Sequence, residues 1–127
     1  MSRVTTHPGE DFGAVWSPDG SRLALASEIG EDEGGDKGPG LAWIGNDGRP
    51  EALLRSPGFG NWEFPSSWSP DGAWIAYTRT SAAVSTDVLL FPTRGPREPV
   101  ALLDTPSYEG GAMFSPDGRW IAFVSGR

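Results

Sequence analysis

All-β is the fold class that the sequence predicts, and three observations predict it. One phrase is written three times: WSPDGSRLALAS at residues 16–27, WSPDGAWIAYTR at residues 68–79 and FSPDGRWIAFVS at residues 114–125. Each copy joins a turn signal to a short apolar run, which is the pattern of a β-hairpin. The composition agrees, with 18 Gly and 12 Pro in 127 residues to make turns, and 6 Trp and 6 Phe to fill a turn-rich core. No stretch keeps an apolar period of 3.6 residues, so nothing reads as an amphipathic helix.

The serines of the three phrases, Ser17, Ser69 and Ser115, stand 52 and 46 residues apart. That period suits a four-stranded propeller blade better than a helical repeat. The architecture expected is therefore a partial β-propeller of four-stranded antiparallel blades, about two and a half of them. Blade 1 covers about residues 12–56, blade 2 about 64–104 and a half blade 3 about 111–126, with residues 3–6 (RVTT) as the outer strand of a preceding blade.

Each element has its own reason. In Ser17-Pro18-Asp19-Gly20, Ser69-Pro70-Asp71-Gly72 and Ser115-Pro116-Asp117-Gly118, proline presets φ, aspartate can bond nearby amides and glycine takes the left-handed conformation. These twelve residues are structural turn positions, which also argues against a catalytic reading of the three aspartates. The runs after the turns align by column: Leu23, Ile75 and Ile121, then Ala24, Ala76 and Ala122, then Leu25, Tyr77 and Phe123. Side chains two apart share a face, so large residues line one side and alanine the other. A strand apolar on both sides belongs in a sheet pressed between two others. Residues 41–46 (LAWIGN) and 50–56 (PEALLRS) complete blade 1 around the turn NDGR. Residues 87–93 (DVLLFPT) and 98–104 (EPVALLD) complete blade 2 around RGPR.

The SPDG turn, with an aromatic before it and an apolar strand after it, resembles the propeller repeat of the TolB family. Residues 102–125 (LLDTPSYEGGAMFSPDGRWIAFVS) are most like its bacterial TolB-like and kinase-associated members. Similar repeats occur in tricorn protease and in the propellers of prolyl oligopeptidase-type peptidases. The resemblance implies a non-catalytic scaffold for protein or peptide binding, part of a larger envelope or sensor protein in a periplasmic or extracytoplasmic setting. Its enzyme-class alternative is the substrate-gating propeller of a prolyl oligopeptidase-like or tricorn-like serine peptidase. A ring of two and a half blades is open, so the chain is expected either to be a piece of a longer protein or to close the propeller by self-assembly.

Charge and chemistry narrow the function. A net charge of −7 disfavours nucleic acid and anionic membranes as partners. No apolar run approaches a membrane span, and no signal peptide is apparent. With no Cys and a single His, His7, most nucleophile–base pairs and zinc sites are ruled out. No Gly-x-Ser-x-Gly elbow or phosphate-binding loop occurs. No catalytic residue, metal or cofactor is expected. The binding candidates are acidic and aromatic. Asp11, Glu63 and Glu109 each stand six positions before an SPDG serine, where a blade's innermost strand begins. They read either as a partial carboxylate ring at the channel mouth, for a cation or basic peptide, or as caps for loose strand amides. Trp62 and Tyr108 lie beside them and suit a protein or peptide partner; Phe12 and His7 share these loops. Glu28, Glu31, Asp32, Glu33 and Asp36 crowd one loop, which reads either as a calcium site, though its spacing matches neither an EF-hand nor a glycine-aspartate calcium repeat, or as a solvated connection between the second and third strands, the reading preferred here.

Overall fold

The computed structural model describes residues 11–27, 39–54, 61–81, 86–103 and 108–126, without the side chains of Asp11 and Phe12. Residues 3–6, His7 and the loop carrying Glu28 to Asp36 lie outside the described residues.

Among the described residues, ten strands form three antiparallel sheets. The first is β1 (Asp11–Trp16), β2 (Leu23–Ser27), β3 (Gly40–Ile44) and β4 (Pro50–Ala52), hydrogen-bonded in that order. The second repeats it with β5 (Trp62–Trp68), β6 (Trp74–Thr80), β7 (Thr86–Pro92) and β8 (Val100–Leu103). The third pairs only β9 (Glu109–Phe114) with β10 (Ile121–Ser125). The fold is all-β, as a partial propeller requires, and no helix among the described residues is long and apolar enough to cross a membrane. The outer strands are shorter than the sequence suggests. β4 stops at Ala52, although the apolar run continues through Leu53 and Leu54, whose side chains pack on the core instead.

The three SPDG turns are built alike. Gly20, Gly72 and Gly118 adopt φ of 72°, 76° and 73°, a region that side chains with a Cβ resist. Their N–H groups donate to the Ser17, Ser69 and Ser115 carbonyls at 2.9 Å. Each serine hydroxyl donates to Oδ1 of its aspartate, at 2.8, 2.6 and 2.6 Å. The same hydroxyl accepts the N–H five residues on, from Arg22, Trp74 or Trp120. Each Oδ1 also accepts the N–H two residues on, from Ser21, Ala73 or Arg119, at 3.0 Å. Serine and aspartate thus satisfy the backbone donors that the tight turn strands.

The columns of the sequence become faces. One face of the first sheet carries Ala24, Leu41 and Trp43, and packs on Trp68, Ile75, Tyr77, Leu89 and Phe91 of the second sheet. Trp43 and Trp68 stack across that junction, centroids 6.2 Å apart and planes within 6°. The other face of the second sheet presents Ala76 and Val88 to Ala112 of the third, with Phe114 and Ile121 beside them. Small alanines on one face let the large residues of the next sheet approach.

The sequence did not announce a bulge in the inner pair of every sheet. Register shifts fall between Phe12 and Val15, between Pro65 and Ser67, and between Ala122 and Val124. Gly13 and Gly111, at φ of 66° and 63°, mark two of the three positions. At the second, Ser66 Oγ donates to the Ala112 carbonyl at 2.6 Å, and Ser67 Oγ accepts the Phe114 N–H at 2.9 Å. The innermost strands β5 and β9 are therefore tied through side chains rather than a backbone ladder.

Candidate binding face at the lead-in end of the inner strands

β1, β5 and β9 begin at the end of the sheets opposite the SPDG turns, and the binding candidates Asp11, Trp62, Glu63, Tyr108 and Glu109 gather there. Asp11 opens β1, its backbone opposite Ser27. Trp62 opens β5, 46% exposed, with its N–H donated to Thr80 Oγ1 at 3.2 Å. Tyr108 is 58% exposed and precedes β9; its backbone forms an isolated parallel bridge with Thr86, and its carbonyl accepts the Gly126 N–H at 2.7 Å. Both aromatics stand at the ends of strands fixed on two sides.

The carboxylates are placed differently from an open ring. Glu63 is 1% exposed and Glu109 0%. Each lies against the start of the third strand of the preceding blade: the Glu63 N–H donates to the Pro39 carbonyl at 2.9 Å, and the Glu109 N–H to Thr86 Oγ1 at 2.8 Å. Neither stands free at a channel mouth. Glu63 Oε2 accepts Nε and Nη2 of Arg79, both at 3.0 Å, while Oε1 makes no hydrogen bond of regular geometry. Burial pushes the Glu63 carboxyl above the usual range; the Arg79 charge and, more weakly, the nearby Leu41 amide pull the other way. Burial likewise raises the Tyr77 hydroxyl, which accepts a long 3.4 Å bond from Arg79 Nη2.

Arg79 was not among the sequence candidates. Its column holds Ser27 in the first blade and Ser125 in the third, and that break in the repeat was the available signal. Beside the Glu63–Arg79 pair opens a hollow of about 460 Å³, lined by Leu54, Asn61, Thr80, Ser81 and Pro99. A second hollow of about 420 Å³ lies at the opposite end, between the first two SPDG turns, where Arg22 lies 4.0 Å over the Trp43 ring. Among the described residues no cluster of three or more His, Asp or Glu is placed to hold a metal ion.

Comparison with solved structures fixes the fold. TolB from Acinetobacter baumannii matches over 98% of this chain with a TM-score of 0.68 at 19% identity. Putative TolB from Agrobacterium tumefaciens matches over 96% with a TM-score of 0.60 at 23% identity. The chain has a TolB-like β-propeller fold. A prolyl endopeptidase, from a study of inter-domain dynamics in catalysis and specificity, matches over 92% of the chain with a TM-score of 0.64 at 17% identity. The propeller chain spans 29%, 56% and 18% of those three proteins, in the order given. No family model and no curated protein matches the sequence.

Proposed function

We propose that this chain is a non-catalytic propeller module that binds a protein or peptide partner through its lead-in end. The observation that carries the reading is the pair Trp62 and Tyr108, large aromatics 46% and 58% exposed on strands locked by their neighbours. Aromatics held rigidly bring large contact area at low entropic cost. In this reading Trp62 and Tyr108 touch the partner, and Asp11 stands on the same rim. Glu63 and Glu109, being buried, hold the strand starts in place beneath them. The resemblance to TolB-like proteins favours an envelope or sensor protein as the setting.

The test is selection of displayed peptides on the immobilised chain. Clones selected on the wild type should lose most of their binding to the Trp62→Ala/Tyr108→Ala double variant while its circular dichroism stays unchanged. Clones that bind both proteins equally would move the site elsewhere.

The prolyl endopeptidase likeness favours a second reading, a propeller that gates substrate access to a hydrolase. The gene on either side of the 127 codons separates the two. A Gly-x-Ser-x-Gly elbow followed by Asp and His would support the gate, and further SPDG blades alone would support the binding module.

A further inference from the structure

We propose that the hollow between the first two SPDG turns is a binding site for a carboxylate, held by the guanidinium groups of Arg22 and Arg94. The hollow, of about 420 Å³, is lined from both complete four-stranded sheets. It lies at the end opposite Trp62 and Tyr108, and it stands independently of the function proposed for that rim. The repeat singles out Arg22. Its column holds Trp74 in blade 2 and Trp120 in blade 3, so the turn itself needs no cation there. The Arg22 guanidinium is held 4.0 Å over the Trp43 ring, and among the described residues none of its side-chain N–H groups is donated. A cation–π contact positions a guanidinium without consuming its in-plane donors. Arg94 is positioned from the second blade: Nη2 donates to the Asp71 carbonyl at 2.9 Å, and Nη1 and Nε have no partner among the described residues. Neither guanidinium is spent on a carboxylate of the chain.

The other charges of the hollow set the class of ligand. Asp19 and Asp71 line it too. Their Oδ1 atoms accept hydrogen bonds within their own turns, from Ser17 and Ser21 and from Ser69 and Ala73. Their negative charge remains, so two arginines and two aspartates leave the hollow near neutral, which disfavours a dianion such as phosphate. A planar monoanion suits it better. The open edge of Arg22 offers a carboxylate two parallel N–H bonds, and Arg94 is a further donor on the same lining. Pro18 and Pro70 supply an apolar wall for the group that carries the carboxylate. Glu51, which acts on Arg22 only through space, is taken up by Trp43 Nε1 at 2.9 Å and Arg97 Nη1 at 3.3 Å. The carboxylate can come from the C-terminus of a peptide or from an acidic side chain, and the two are separated by experiment.

The probes are N-acetyl-leucine, which ends as a peptide C-terminus does, the α-amide of N-acetyl-glutamate, which offers a side-chain carboxylate, neutral N-acetyl-leucinamide, and inorganic phosphate. Each is titrated into the ¹⁵N-labelled full chain, with the Nε–H signals of Arg22 and Arg94 and the Trp43 indole N–H as readout. At least one carboxylate probe should give saturable shifts, the tighter of the two naming the source, while the neutral amide gives none. Arg22→Trp writes into blade 1 the residue that the other two blades carry, so the turn should still fold. It should weaken carboxylate binding roughly tenfold or more, read on Arg94, with circular dichroism unchanged. Arg94→Gln, at an exposed turn position, should weaken it severalfold, read on Arg22. No saturable shift with either carboxylate, an equal response to the neutral amide, tighter binding of phosphate than of both carboxylates, or undiminished binding by folded Arg22→Trp would each overturn the proposal.

Discussion

At the scale of single residues, the repeat turns physical requirements into legible letters. Gly118 sits at φ 73°, and a Cβ there would meet Pro70 Cδ of the preceding turn at 3.4 Å. Gly118→Val should therefore destabilise the chain by about 1–2 kcal/mol or more through the left-handed backbone alone. An unchanged melting temperature by circular dichroism would contradict the turn. The titrating residues act in opposite senses. Hydrogen bonds from Ser21 and Ser17 lower the Asp19 carboxyl to about 2 from 3.8; Asp71 is lowered chiefly by Ser69 and Asp117 chiefly by Ser115. Their stabilisation is in place above pH 3.8 and is lost as pH falls through the lowered values. Glu63 is raised by burial, so the folded chain holds its proton more tightly than the unfolded one. Its penalty begins as pH rises past 4.5 and is complete above the raised value. Urea titrations at several pH values should show the gap between Glu63→Gln and wild type widening in favour of the variant across that upper window; a pH-independent gap would contradict the assignment. The turn aspartates were readable because glycine and proline beside them dictate one conformation. The burial of Glu63 was not, because its partner Arg79 lies sixteen residues on, in a column where the other blades carry serine.

At the scale of the strand and sheet, the small–large alternation was readable and its consequence is steric. Ala76 is fully buried against Val88 and Ala112. Ala76→Leu should cost about 1–3 kcal/mol by forcing the second and third sheets apart, measured as a shift in urea midpoint. No shift would mean that face is not packed. Strand pairing followed the turn signals closely because NDGR and RGPR place Gly48 and Gly95 where φ of 70° and 69° is needed. The bulges are not legible in one strand's sequence, because a bulge is a property of two strands, and Pro65 occupies in blade 2 the place that Gly13 and Gly111 hold in the others. The ties from Ser66 and Ser67 to β9 were equally invisible, since they join residues 46 and 47 apart.

At the scale of the whole molecule, each sheet leans on its neighbours, and stability should be graded accordingly. The second sheet is packed on both faces, while β10 is exposed along most of its length. Hydrogen exchange should be slowest for the amides of β6 and β7 and fastest for those of β10; uniform protection would mean that the three sheets open as one unit. The parallel indoles of Trp43 and Trp68 carry a practical consequence. They belong to different sheets and come together only when those sheets dock. Their near-ultraviolet dichroism is accordingly an optical gauge of blade association, one that can fall silent while the far-ultraviolet signal of the individual hairpins persists.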